Sequence, residues 1–134
     1  MKLTFFGAID GVTGSNYLLE VDNKKILIEC GLFQGTNKEE EKNWEDFPYN
    51  PKKIDAVIIT HSHIDHIGLI PKLVKNGFNG PIYAIDATCD FANLFLADSA
   101  RILKKAAETQ GKNELYSIGD VKDSIKLFKL LEYH

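Results

Sequence analysis

The sequence is poor in several features that would each define a class of protein. It has only two cysteines, Cys30 and Cys89. These are too few for a disulfide framework, so we expect reduced, buried thiols in a cytosolic protein, with one bridge between them left open. No run of about 20 apolar residues is present, so no membrane-spanning helix is expected. The N-terminal apolar run is broken by Gly7 and Asp10 and lacks the long apolar region of a signal peptide.

The sequence also lacks an excess of positive charge. Its 16 lysines and arginines are outnumbered by 19 aspartates and glutamates, which gives a net charge of −3. A nucleic-acid-binding domain typically carries a basic patch, so any affinity for RNA must come from bound metal and a local patch, or from further chain. The 44% of hydrophobic residues is ordinary for a globular domain, and 134 residues suffice for one core.

Three of the four histidines lie within six residues, in the sequence HSHIDH at positions 61–66. The apolar, β-branched run at 54–60 predicts a buried central strand immediately before them. Alternate side chains of an extended chain share one side, so His61 and His63 can bind one metal ion. Asp65 and His66 lie where the chain turns into a helix and would point to a neighbouring position. The alternative is a polar loop with Asp65 as a helix cap, which leaves the clustering of histidines unexplained.

The donor types in this cluster indicate which metals it would bind. Imidazole nitrogens and carboxylate oxygens suit Zn²⁺ first, with Mn²⁺ or Fe as possible substitutes. The sequence therefore predicts a metal site at the end of the central strand.

These residues resemble a known family. HSHIDH is similar to the HxHxDH signature of the metallo-β-lactamase fold, and the flanking text resembles the β-CASP branch of RNA-processing nucleases. The flanking segments are residues 6–8, 12–17, 30–35, 60–72 and 98–100. The resemblance covers nearly the whole chain. It implies an α/β fold that forms the N-terminal half of a four-layer αββα sandwich.

The resemblance also implies that residues 1–134 are the N-terminal part of a longer catalytic domain, without the β-CASP insertion and the C-terminal part. The remaining ligands of such a site have no candidates after His66. The only later histidine is His134, and Asp120 and Asp123 fall on a predicted surface helix. We therefore expect an incomplete site in a fragment that binds metal weakly and is inactive by itself, because two imidazoles are fewer than a tetrahedral set.

In the family pattern His61 and His63 bind the first of two ions, and Asp65 and His66 bind the second. The resemblance also implies that Asp65 is the catalytic residue, which can orient the attacking water. Paired ions about 3.5–4 Å apart lower the pKa of a shared water to about 7 and clamp a phosphodiester. Glu29 stands where the family usually has aspartate, and its carboxylate is expected to steady the loop from outside the ligand set.

The glycine-rich stretch at residues 7–15 predicts a loop that can approach a ligand closely. Its candidates for contact with substrate phosphates are the hydroxyls of Thr13 and Ser15. A purely structural hairpin loop remains the alternative at this point.

The rest of the chain reads as alternating strands and helices. Strands are predicted at 2–6, at 16–21 and 25–30 as a hairpin, and at 81–85; helices at 67–76, 88–110 and from 117 through 128. Residues 34–50 are predicted to be a surface excursion anchored by Trp44. The predicted buried stripe of the long helix comprises Phe91, Leu94, Phe95, Ile102 and Leu103, and Lys72 and Lys75 are predicted on an exposed face.

Two other functions remain open. One is a hydrolase of the same fold acting on a thioester or lactone. The other is a non-catalytic module that self-associates, because half of a sandwich leaves one sheet face without its partner sheet.

Overall fold

The computed structural model describes residues 1–132, whose six strands lie in one sheet. The strands are β1 (Lys2–Phe5), β2 (Tyr17–Val21), β3 (Lys24–Ile28), β4 (Ala56–Ile58), β5 (Ile82–Ala84) and β6 (Phe128–Leu130). The helices are α1 (Asn37–Glu41), α2 (Ile64–Ile67), α3 (Ile70–Lys75), α4 (Asp86–Gln110) and α5 (Ile118–Ile125), with 3₁₀ turns at Lys42–Trp44 and Pro51–Lys53. His134 lies outside the described residues. No helix within them is long and apolar enough to cross a membrane.

The strands follow one another across the sheet in chain order. β1, β2 and β3 are antiparallel, whereas β3, β4, β5 and β6 are parallel. Asp22 and Asn23 form the predicted turn between β2 and β3, both with positive φ (48° and 63°), as a tight hairpin of this hand requires. Because parallel strands end at the same edge, the segments that follow β3, β4 and β5 meet there. The α/β class predicted from the sequence is confirmed.

One face of the sheet is buried under the helices. Leu18, Leu27, Val57 and Ile82 are successive cross-strand neighbours on this face, and each is at most 4% exposed. Helix residues complete the core above them. They include Ile67, Ile70, Leu73, Leu96, Ala100 and Val121.

The opposite face of the sheet is only half covered. Its central row runs across five strands through Phe5, Tyr17, Ile28, Ile58 and Tyr83, each directly opposite the next. Phe5 is 55% exposed, and the other four are half-buried. This row is therefore less covered than the row from Leu18 to Ile82.

The predicted buried stripe of α4 is wrong for four of its five residues. Phe91, Leu94, Phe95 and Ile102 are exposed, and only Leu103 is buried. The helix instead turns its small side chains inward, together with Leu96; they are Ala92, Ser99, Ala100 and Ala107. Small residues let a helix lie close to its neighbours, so the size of a hydrophobic side chain was a misleading guide here. The helix begins at Asp86 rather than at a Thr88 cap, and it ends at Gly111 as predicted.

Other differences concern the ends of elements. The helix predicted at 67–76 is two short helices, α2 and α3, with Pro71 in the first turn of α3. Lys72 is buried rather than exposed, because its Nζ donates to the carbonyls of Asn43 and Glu45 in the 34–50 excursion. Phe128 belongs to strand β6 rather than to the last helix, which Ser117 does cap as predicted.

Several local predictions are confirmed. The 34–50 excursion carries the short helix α1 and is anchored where Trp44 Nε1 donates to Asn113 O at 3.0 Å. Both cysteines are free thiols: Cys30 is buried, as expected, whereas Cys89 is only half-buried.

Candidate functional site

The HSHIDH motif lies at the edge where the parallel strands end, and its helix α2 is a single turn. A helix of four residues cannot satisfy most of its own carbonyl groups. Backbone N–H groups of other segments do so instead: Leu32 donates to Ile64 O (3.0 Å), Ser15 to Asp65 O (3.0 Å) and Cys30 to His66 O (2.8 Å). The loop after β1 and the segment after β3 therefore hold the motif in place.

Gly31 shows how closely these segments pack. A Cβ built on Gly31 would lie 1.6 Å from the carbonyl oxygen of Asp65. Only glycine allows the chain to pass this near to α2. The backbone at Gly31 therefore cannot accept a side chain unless α2 moves.

The imidazoles of the motif form one cluster. The ring centroids of His61 and His66 are 4.0 Å apart, and those of His61 and His63 are 4.7 Å apart. Asp65 Oδ2 lies 3.5 Å from His66 Nε2. The four residues predicted as ligands are thus brought together, with His61 in the middle and His63 the most exposed.

Glu29 lies beneath this cluster and is 2% exposed. Its Oε1 accepts a hydrogen bond from Thr60 N at 3.0 Å, and its Oε2 lies 3.3 Å from His66 Nδ1. Oε2 and Nδ1 face each other at this distance, and neither atom makes a hydrogen bond within residues 1–132. The carboxylate favours the tautomer with its proton on Nδ1, which leaves Nε2 of His66 as a free electron-pair donor.

The backbone at Glu29 is left-handed, with φ of 63°. This conformation is uncommon for a residue with a side chain and costs on the order of 1–3 kcal/mol. It occurs where the chain leaves β3 and places a long carboxylate under the motif. The glutamate carboxylate therefore lies next to the loop, and its extra methylene relative to aspartate is accommodated.

The environment of His61 disfavours its protonated form. Burial lowers its pKa below the usual value, and the neighbouring imidazoles of His66 and His63 lower it further. Its Nδ1 lies 2.9 Å from the hydroxyl of Thr60. A neutral ring with Nδ1 engaged in this way can offer Nε2 to a cation.

The donor chemistry of the cluster fits zinc, but the set is incomplete. In the part of the chain that the structure describes, no group of three or more histidine, cysteine, aspartate or glutamate side chains is arranged to hold a metal ion. The buried Glu29 and His66 atoms that face each other do match the outer partner and ligand pair common at metal sites. The metal roles of His61, His63, Asp65 and His66 remain predictions.

Thr13 and Ser15, the two hydroxyl residues of the glycine-rich loop, both make contacts that hold the fold together. The Thr13 hydroxyl donates to Gln34 O and accepts from Gln34 N, both at 3.0 Å. Ser15 is 3% exposed, and its backbone ties α2 to the segment after β3. Their contact with substrate remains a prediction.

Sequence reasoning missed two residues at the site. Thr60 immediately precedes the motif, and its position next to His61 was the available signal. Tyr116 lies 50 residues beyond His66 in the chain, yet its hydroxyl donates to Gly68 O just after α2 at 2.8 Å. No local pattern pointed to it.

Open α/β sheets bind ligands beyond the carboxyl ends of their parallel strands, and in this protein that edge carries the histidine-rich loop. The model of the metallo-beta-lactamase superfamily matches residues 9–127. The chain therefore belongs to the metallo-beta-lactamase superfamily.

Two curated relatives match almost the full chain. Ribonuclease TTHA0252 of Thermus thermophilus is 37% identical over 99% of this chain and 28% of its own length. Transcription termination factor FttA of Methanococcus maripaludis is 33% identical over 99% of this chain and 20% of its own length. The chain thus spans less than a third of either relative. The resemblance to the metallo-β-lactamase fold and to its β-CASP members is confirmed.

The solved structures that resemble the chain include the short form of human tRNase Z. It is 22% identical, with a TM-score of 0.45, over 87% of this chain and 43% of that chain.

Gly31→Ala should destabilise the protein, because its methyl group would overlap the Asp65 carbonyl and push α2 away. We expect a loss of about 1–3 kcal/mol, as for overpacked cores. Gly11→Ala is the matched control, since a Cβ there meets nothing within 4 Å. It should stay within about 0.5 kcal/mol of the parent. Urea unfolding measures both, and equal midpoints for the two variants would show that the close approach at Gly31 is not tight.

Proposed function

We propose that the chain is part of a β-CASP-type ribonuclease, a metal-dependent phosphodiester hydrolase in which residues 61–66 supply the first metal ligands. The single observation that supports this most is the three-imidazole cluster backed by the buried Glu29 carboxylate. The relative named a ribonuclease, at 37% identity, supports RNA as the substrate. The remaining ligands and the β-CASP insertion would come from further chain, and the site would work in the cytoplasm.

The chain's own residues have distinct parts in this proposal. His61 and His63 would hold one zinc ion and Asp65 with His66 a second, with Mn²⁺ as a possible substitute. When bound, such ions supply a hydroxide at neutral pH and neutralise charge on the phosphate oxygens. Asp65 accepts a hydrogen bond from the attacking water and orients it. Glu29 holds His66 in the tautomer that frees Nε2.

His61→Ala combined with His63→Ala should abolish zinc binding, because it removes two of the three clustered imidazoles. We expect the parent chain to bind zinc with micromolar or weaker affinity, since the proposal gives each ion only two protein ligands instead of a tetrahedral set. Glu40→Gln, an exposed acid outside the site, is the matched control and should titrate like the parent. Isothermal titration calorimetry measures all three. Identical titrations of the double variant and the parent would place the metal elsewhere.

Activity should require more than residues 1–134. We expect these residues alone to cut single-stranded RNA no faster than a blank, and a longer protein that contains them to cut it in a metal-dependent way. Cleavage of end-labelled RNA with and without a chelator measures this. Chelator-sensitive cleavage by the isolated chain would contradict an incomplete site, and no cleavage by the longer protein would contradict the proposed function.

A second candidate role, self-association, is favoured by the half-covered sheet face. Phe5 and Leu3 are 55% and 46% exposed on it, beside the half-buried Tyr17, Ile28 and Ile58. Covering apolar surface contributes about 2.5 kcal/mol per 100 Å². We therefore propose that isolated chains pair through this face.

Sedimentation and thermal melting over a hundredfold concentration range test the pairing. We expect the apparent mass and the melting temperature to rise with concentration, because only a pair covers the apolar face. Phe5→Lys should keep the chain monomeric, whereas Lys2→Glu, on the opposite face of the same strand, should not. A parent chain that stays monomeric with one sharp melting temperature throughout would rule pairing out.

A further inference from the structure

The carbonyl of the residue after helix α2 accepts a hydrogen bond from a side chain rather than from the backbone. The carbonyls of Ile64, Asp65 and His66 accept from backbone N–H groups of other segments. The carbonyl of Gly68, the residue that follows α2, accepts instead from the Tyr116 hydroxyl at 2.8 Å. Of these four hydrogen bonds, only the one to Gly68 is made by a side chain. A single substitution can therefore remove it.

The Tyr116 hydroxyl is part of a short chain of hydrogen bonds. Ser99 Oγ lies 3.0 Å from it, and since the single phenolic proton goes to Gly68, Ser99 donates to Tyr116. Tyr116 is 1% exposed and Ser99 7%, so water does not compete for these bonds. Burial also raises the pKa of Tyr116, which keeps the hydroxyl protonated as a donor. The chain runs from α4, through the residue before Ser117, to the end of α2.

We propose that Tyr116 is a positioning residue for the metal motif: through the Gly68 carbonyl it sets the place of α2 and hence of the His66 imidazole. Gly68 is two residues beyond His66, and α2 has only one turn in which to absorb a displacement. The Glu29 carboxylate lies on one side of the His66 ring, with Oε2 3.3 Å from Nδ1. Tyr116 fixes its backbone from the other end. Ser99 in turn fixes Tyr116, which gives a function to the 98–100 segment that the family resemblance singled out.

This inference rests on the proposed function for its consequence in metal binding, but its structural part can be measured without metal. Tyr116→Phe removes only the hydroxyl and keeps the packed ring. Ser124→Ala is the matched control, because Ser124 is also fully buried and its hydroxyl donates to a helix carbonyl, that of Asp120, at 2.7 Å. Ser124 has no bond to α2.

In the metal-free protein, amide hydrogen exchange should report the effect of the hydrogen bond from Tyr116 to Gly68. The N–H groups of His66 and Ile67 donate to His63 O, the cap of α2, and that of Gly68 donates to Ile64 O. Tyr116→Phe should speed their exchange relative to the amides of α4, and Ser124→Ala should not. Ser99→Ala, which leaves the bond to Gly68 in place, should act in the same direction but less strongly, and it serves if Tyr116→Phe does not fold.

Zinc affinity, measured by competition with a chromogenic chelator, is the second readout. Tyr116→Phe should weaken binding about tenfold, the lower end of what loss of an outer partner does. The control should bind like the parent. Unchanged α2 exchange and unchanged zinc affinity in Tyr116→Phe would overturn the proposal. If the parent binds no zinc but α2 exchange still responds to Tyr116→Phe, the proposed function fails and the positioning of α2 by Tyr116 stands.

Discussion

The site depends on one constraint: a single helical turn cannot satisfy its own backbone, so other elements must. The first three carbonyls of α2 accept from N–H groups of the loop after β1 and of the segment after β3, and the Gly68 carbonyl just after α2 accepts from one tyrosine hydroxyl. These bonds fix the position of α2, which carries Asp65 and His66. Gly31 is required because the chain that donates two of the bonds passes within contact of the Asp65 carbonyl.

The sheet explains why these segments meet. β3, β4 and β5 are parallel, so the chain leaves all three at the same edge. β1 and β2 run antiparallel to each other, and their connecting loop returns to that edge because Phe5 pairs with Tyr17, which pairs with Ile28. Glu29, Ser15 and His61 come together from distant positions for this reason alone.

The two faces of the sheet differ in how much of their apolar surface is buried. The helices bury one row of the sheet, from Leu18 to Ile82, and leave the row from Phe5 to Tyr83 half open. On the outer side of α4, Phe91 and Phe95 stack on each other at 5.8 Å while remaining exposed. Apolar side chains in such numbers outside a core are typical of surfaces that bind another part of a protein.

Much of the fold could be predicted from the sequence where a pattern was local. The hairpin turn at Asp22 and Asn23, the capping by Ser117 and the stop at Gly111 each rest on neighbouring residues. The stripe of α4 could not, because which face a helix buries depends on what it packs against. The small residues Ala92 and Ala100 suit a close approach that periodicity alone does not reveal.

The candidate site divides in the same way. His61, His63, Asp65 and His66 fall in one motif, and their clustering followed from it. The position of Glu29 beside the motif followed from the family resemblance, which indicated neither His66 as the residue it faces nor the left-handed backbone. Tyr116 and the burial of Lys72 depend on contacts between residues far apart in the chain, and no local signal marks them.

X-ray absorption at the zinc edge, on the protein loaded with one equivalent of zinc, tests the metal assignment most directly. Ligation by the motif predicts a first shell of nitrogen and oxygen with the outer scattering of imidazole rings, which weakens in His61→Ala. A first shell containing sulfur, from Cys30 or Cys89, or an imidazole signal that survives loss of both His61 and His63, would contradict it.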